Sequence, residues 1–246
     1  MEMSSCRRRA PLVWAVVLLI AAGCSGPKVT TKSVPQIQQY RIHKIVVVPF
    51  ETTSTPQVIH PNDPQLSVPE GVRRSDISVS VPPNMETYPG FTQPVPQSAS
   101  QTVTNLVWTK LKAKPGLDVI SPDEVKRSAG KVYRDNETAP LEVVGQKIAT
   151  RLGADAALVG TVLVYQERVG SRLGASPPAT VGFEMRLIGN DGAVIWEGNY
   201  YERQRPMSED LWGFIQRYGA FVTADELAAY GSEKLAQEFP FGREKD

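Results

Sequence analysis

The sequence predicts an α/β domain, a mixed β-sheet packed with helices, carried behind an N-terminal export signal. Two observations predict the domain. Ile45-Val46-Val47-Val48 and Ala156–Tyr165 are apolar at successive positions, as strands buried on both faces must be. Between them lie segments with apolar residues at helical spacing, punctuated by Pro and Gly. A third observation predicts the signal. The chain opens with Arg7-Arg8-Arg9 and an apolar run from Leu12 to Ala22, too short for a spanning helix of about 20 residues.

Residues 1–23 therefore read as a signal peptide. The small residues Ala21-Ala22-Gly23 before Cys24 resemble the lipobox of bacterial lipoproteins, although Ala21 stands where that pattern prefers Leu. The resemblance implies that Cys24 carries an S-diacylglyceryl group and an N-acyl chain. It also implies that Ser25, in place of an Asp, directs sorting to the outer membrane. Cysteine usage agrees. The chain has two cysteines, and Cys6 leaves with the signal, so Cys24 has no disulfide partner. The overall net charge is +1, and the first 23 residues hold three arginines and one glutamate, so the remainder is near −1. Such a balance provides no electrostatic footprint for nucleic acid.

Residues 24–40 read as the acylated cysteine and a polar, flexible tether. The α/β domain is expected over 41–205, with a Pro-rich insertion at 51–97. Nine of the 20 prolines fall in that insertion, which excludes long helices and central strands. Within it only Ile77–Val81 alternates as a short strand does. A helix is predicted at 98–112, ended by Pro115-Gly116, then a strand at 117–120. Ser121-Pro122-Asp123-Glu124 opens a helix expected to stop by Gly130. Another helix enters at Pro140 and closes at Gly153. Val181, Phe183, Met185 and Leu187 share one face of an alternating strand, with Glu184 and Arg186 opposite. Gly189-Asn190-Asp191-Gly192 is a hairpin turn, and Val194, Trp196 and Tyr200 line one face of the return strand. One wet face places these two strands toward an edge. Residues 206–240 read as C-terminal helices packing on the domain, with Thr223-Ala224-Asp225-Glu226 as a capping box.

The order of elements, together with Ile45–Phe50, Leu117–Ile120 and Leu152–Val162, resembles the anticodon-binding-like domain of three envelope groups. These are the TolB N-terminal domain, the curli secretion lipoproteins (CsgG) and the lipoprotein activators of penicillin-binding proteins (LpoB). The likeness spans about residues 42–203. Residues 51–97 are longer than the usual connection, and the helices after Ser208 lie outside the shared domain. The resemblance implies a non-enzymatic assembly or interaction module.

The chemistry-bearing residues point the same way. His43 and His60 are the two histidines, too few and too far apart to predict a metal site. No nucleophile elbow or phosphate loop is present, so no cofactor is expected. Asp155 and Glu51 could meet at adjacent strand ends as an acid/base pair, but a helix–strand junction is the commoner role for such a carboxylate. Glu202-Arg203-Gln204-Arg205 could contact phospholipid or glycan, but a solvated strand end is the commoner reading of such a run. Trp212 and Phe214 cannot share one face of a single helix, which makes them a candidate surface for a protein partner or a membrane, although packing of the C-terminal helix against the domain is the commoner role for such a stretch.

The expected function is an outer-membrane-anchored, periplasm-facing lipoprotein acting as an interaction module. The alternatives are a subunit of an oligomeric secretion pore and, third, an envelope enzyme. If Cys24 carries the lipid, Cys24→Ala abolishes incorporation of a fatty-acid probe and releases the protein from the membrane fraction. Unchanged labelling of that variant excludes the anchor.

Overall fold

A computed structural model describes residues 28–54, 57–59, 91–136, 138–175, 177–204 and 219–242. The strands in chain order are β1 (Val29–Ser33), β2 (Lys44–Val47), β3 (Glu51–Thr52), β4 (Gln57–Ile59), β5 (Phe91–Gln93), β6 (Asp118–Ile120), β7 (Ala156–Gln166), β8 (Thr180–Gly189) and β9 (Val194–Arg203). The helices are α1 (Gln97–Lys112), α2 (Pro122–Asp135), α3 (Leu141–Leu152) and α4 (Ala224–Glu238).

A mixed seven-stranded sheet runs β1-β9-β8-β7-β2-β6, and β3 continues beside β7 beyond β2. The pairings of β2 with β6 and β7, and of β3 with β7, are parallel. The others are antiparallel. Helices cover both faces, as the two-sided apolar runs require. Ile45, Val47, Ala156, Leu158 and Val162 join the core beneath α1 and α4. Val46, Val48, Ala157 and Val159 join the core beneath α2 and α3.

The expected local signals operate. Ser121 accepts the Glu124 amide at 3.2 Å, with Pro122 in the first turn. Thr223 and Glu226 form a reciprocal capping box at α4. α3 spans Leu141–Leu152 and ends at Gly153. Val181, Phe183, Met185 and Leu187 are all fully buried on one face. At Gly160 a Cβ would come within 2.6 Å of the Phe50 ring, which explains the small residue in that strand.

Four readings are corrected. The tether expected over 24–40 is part of the sheet from Val29, because β1 pairs with β9 from Val29–Tyr200 to Ser33–Trp196. α2 continues past Gly130 to Asp135, because Val132 and Tyr133 extend the apolar face begun by Val125 and Ala129. Val194 does not share a face with Trp196. An irregularity between Leu187 and Ile188 shifts the register, and Val194 packs with the α2/α3 core while Trp196 packs with the other. Finally, β8 and β9 lie inside the sheet, with β1 outermost on that side.

In the insertion, β4 and β5 form a two-stranded antiparallel ribbon. The expected strand Ile77–Val81 lies outside the described residues.

α4 sits tightly on the sheet. A Cβ at Gly231 would fall 2.3 Å from the Tyr200 ring, whereas one at Gly130 meets nothing nearer than 3.9 Å. Gly231→Ala is therefore expected to cost about 1–3 kcal/mol, and Gly130→Ala to gain about 0.5–1 kcal/mol. Thermal melts of the two variants should move in opposite directions. Equal midpoints would remove the close-packing account of α4.

Candidate functional site

Asp155, one of the two carboxylates considered for chemistry, is engaged in holding backbone. The Asp155 carboxylate accepts the amides of His43 at 2.9 Å and Lys44 at 2.8 Å. Its own amide donates to the Lys44 carbonyl at 2.7 Å. Asp155 thus ties the start of β7 to the start of β2. Glu51 pairs with Thr161, six residues further along β7, so it lies about 20 Å away at ~3.3 Å per residue. The two carboxylates do not meet. Glu51 instead acts on Tyr133, whose hydroxyl is held above its ordinary pKa by burial first and the Glu51 charge second.

The strand end expected to be solvated is not so at Glu202 and Gln204, and Arg205 lies outside the described residues. Glu202 and Gln204 are buried. Glu202 accepts from the Tyr200 hydroxyl at 2.9 Å and pairs with Lys28 at 3.2 Å. Gln204 donates to the Ala220 carbonyl at 2.7 Å and accepts the Val222 amide at 2.9 Å. A buried group left without such partners costs about 1–3 kcal/mol, so these contacts fix where β9 ends and where the chain re-enters toward α4.

The same end of the sheet holds a braced loop between β7 and β8, residues 167–179. Val169 donates to Pro177 at 2.9 Å, Ser171 to Gly174 at 2.8 Å, and Phe221 to Arg172 at 2.8 Å. Arg172 pairs with Glu226 at 3.2 Å. Glu167 accepts the Ala224 amide at 3.0 Å. The Tyr165 hydroxyl donates to Asp225, and its pKa is raised by burial first and that hydrogen bond second. Two apolar side chains project from this loop: Leu173 is 89% exposed and Val169 61%. Sequence reasoning missed both. The available signal was Arg168-Val169-Gly170-Ser171-Arg172-Leu173-Gly174, apolar residues in a turn that has no strand to bury them.

On the α3 side of the sheet, Arg186 meets Glu142, Glu184 and Glu197. Desolvation lowers its pKa, but the Glu184 charge, the Glu142 hydrogen bond and the remaining carboxylates outweigh it and raise the value. This polar cluster is the wet face expected opposite Val181–Leu187. Cys24, Ser25, His60, Trp212 and Phe214 lie outside the described residues. Among the described residues, no three His, Cys, Asp or Glu side chains group as a metal site. No helix among them is long and apolar enough to cross a membrane.

The geometry defines a three-layer α/β domain with a mixed sheet, a stitched polar seam at one sheet end and an apolar loop tip beside it. No protein-family model matches the sequence, and no curated protein matches it. Solved structures do. The PelC dodecamer from Paraburkholderia phytofirmans is 15% identical, over 88% of this chain and 98% of that one, at a TM-score of 0.40. Lipoprotein GNA1162 from Neisseria meningitidis is 16% identical over 72% and 92% of the two chains, at 0.34. The LpoB C-terminal domain from Salmonella enterica is 12% identical over 79% and 94%, also at 0.34. Overlays this loose carry none of those proteins' partners over to this chain.

If Asp155 is a clamp, Asp155→Ala lowers stability by about 1–3 kcal/mol through two orphaned amides. Glu51→Gln, at an exposed position, leaves stability unchanged. Urea titration of both variants checks this. A midpoint for Asp155→Ala equal to the parent's excludes the clamp.

Proposed function

We propose that this chain is a lipid-anchored protein of the bacterial envelope that acts as a non-enzymatic interaction and assembly module. In this reading residues 1–23 are removed, Cys24 is acylated, and Ser25 sends the protein to the periplasmic face of the outer membrane. The folded body runs from Val29 to the end of α4, and the insertion expected over 51–97 is narrowed to 53–96, because Glu51–Thr52 pairs with β7 and Gln97 opens α1. Trp212 and Phe214 are assigned to the surface that meets a protein partner.

The observation that carries the proposal is the position of Cys24. The sequence reads as an export signal up to that residue, and the chain is already part of the sheet at Val29, five residues later. A cysteine so close to a folded edge suits attachment of that domain to a surface. The use of Asp155 and Gln204 as backbone partners, and of Glu202 as a partner of Tyr200 and Lys28, supports a binding rather than a catalytic role. The pore alternative receives no support from β7, β8 and β9. Their apolar residues form the core under α1 and α4, and a lipid-facing barrel would have to uncover those helices.

A chain beginning at Ser25, without lipid, should remain soluble without detergent and should not conduct in planar bilayers. It should still be captured by photo-crosslinkers placed at Trp212 or Phe214 on the same envelope partner as the full protein. Its affinity should fall only by the local-concentration advantage of the anchor. Steady channel currents would put the pore first, and turnover of an envelope substrate would put the enzyme first.

A further inference from the structure

β1 enters the sheet at a defined place. Val29 pairs with Tyr200, and the Lys28 carbonyl accepts the Tyr201 amide at 3.0 Å. Four residue steps separate Lys28 from Cys24, a reach of at most about 14 Å at ~3.5 Å per residue. Where Cys24 is held, this end of the sheet is held close by.

Strand directions show what else lies at that end. β1 is antiparallel to β9, β9 to β8, and β8 to β7. The beginning of β1 therefore points the same way as the ends of β9 and β7 and the start of β8, where Thr180 pairs with both Arg203 and Gln166. The loop carrying Val169 and Leu173 leaves from this place. Its root is three strand spacings from β1, about 14 Å at ~4.8 Å each. The loop's hydrogen bonds to its own backbone and to Phe221 hold the two side chains outward.

We propose that the β7–β8 loop is a membrane-seating tip. Leu173 and Val169 enter the interfacial layer of the leaflet that holds the Cys24 acyl chains, and so orient the domain with this sheet end toward the bilayer. The proposal rests on the acylation of Cys24 argued above. The occupant is the lipid surface because the short reach brings this sheet end to the leaflet and leaves a folded partner little room between them. Of the neighbouring cations, Arg172 is matched by Glu226 and Lys28 by Glu202, while Arg168 donates to the Gly170 carbonyl. Leu173 and Val169 are the exposed apolar side chains at the tip, so apolar insertion carries the seating. Two such side chains would bind a bilayer weakly alone, but beside an anchored cysteine they need only set orientation.

After loss of Cys6 with the signal, Cys24 is the one native cysteine, so Leu173→Cys adds a single free thiol to the acylated protein. That thiol is labelled with an environment-sensitive fluorophore, and the protein is reconstituted into phosphatidylcholine vesicles. The expected result is a blue-shifted emission, most of which is lost to a lipid-borne quencher. Val169→Cys should report the same, while Ser33→Cys, at the far end of β1, should show neither effect. A label at 173 that stays in water on acylated, vesicle-bound protein overturns the seating and leaves the anchor intact. Protein found to carry no acyl group overturns both. Protection of the label by concentration-dependent self-association in detergent also overturns the proposal, and assigns the tip to a second copy.

Discussion

Everything in this domain depends on two adjacent parallel strands that have no wet side. β2 and β7 pair from Ile45–Ala156 to Val47–Leu158, and their side chains are fully buried on both faces. Burying one Val or Leu side chain is worth about 1.5–3 kcal/mol, so exposing either face is prohibitive. Helices must therefore cover both. α1 and α4 cover one face, α2 and α3 the other, and the antiparallel strands extend the sheet outward from β7. The parallel start of the pair is locked by the Asp155 carboxylate on the His43 and Lys44 amides, where a one-residue slip would exchange the two faces.

Much of this was legible because it is written in local patterns. Two-sided apolar runs, the Ser121 and Thr223 caps and the alternation from Val181 to Leu187 each depend on neighbours in sequence. β1 was illegible for the opposite reason. Val29-Thr30-Thr31-Lys32-Ser33 has one apolar residue, and its conformation is decided by β9, some 165 positions away. The facing of Val194 was misread because a bulge breaks the period of two, and α2 was cut short because Gly130 was weighed as a stop although the apolar stripe continues.

The polar seam was the least legible part of the candidate site. Glu202 and Gln204 stand in a run of charged and polar residues that looks solvated in one dimension. Burial follows only once Lys28, Tyr200, Ala220 and Val222 converge on them from separate parts of the chain. The exposed Leu173 was hidden differently. Exposure is a property of what fails to arrive, and a sequence does not display the strand or helix that is missing above a turn.

The ribbon of β4 and β5 has a consequence for how this chain can vary. It pairs Gln57 with Gln93 and Ile59 with Phe91, so the main chain leaves and returns through neighbouring strands about 4.8 Å apart. The chain thus departs at Ile59 and returns at Phe91, a circuit closed by paired ends. Doubling such a circuit costs only about 0.6 kcal/mol in closure entropy, and deleting most of it leaves the same two ends to join. Closure entropy therefore sets little limit on the length of chain carried between these two paired strands.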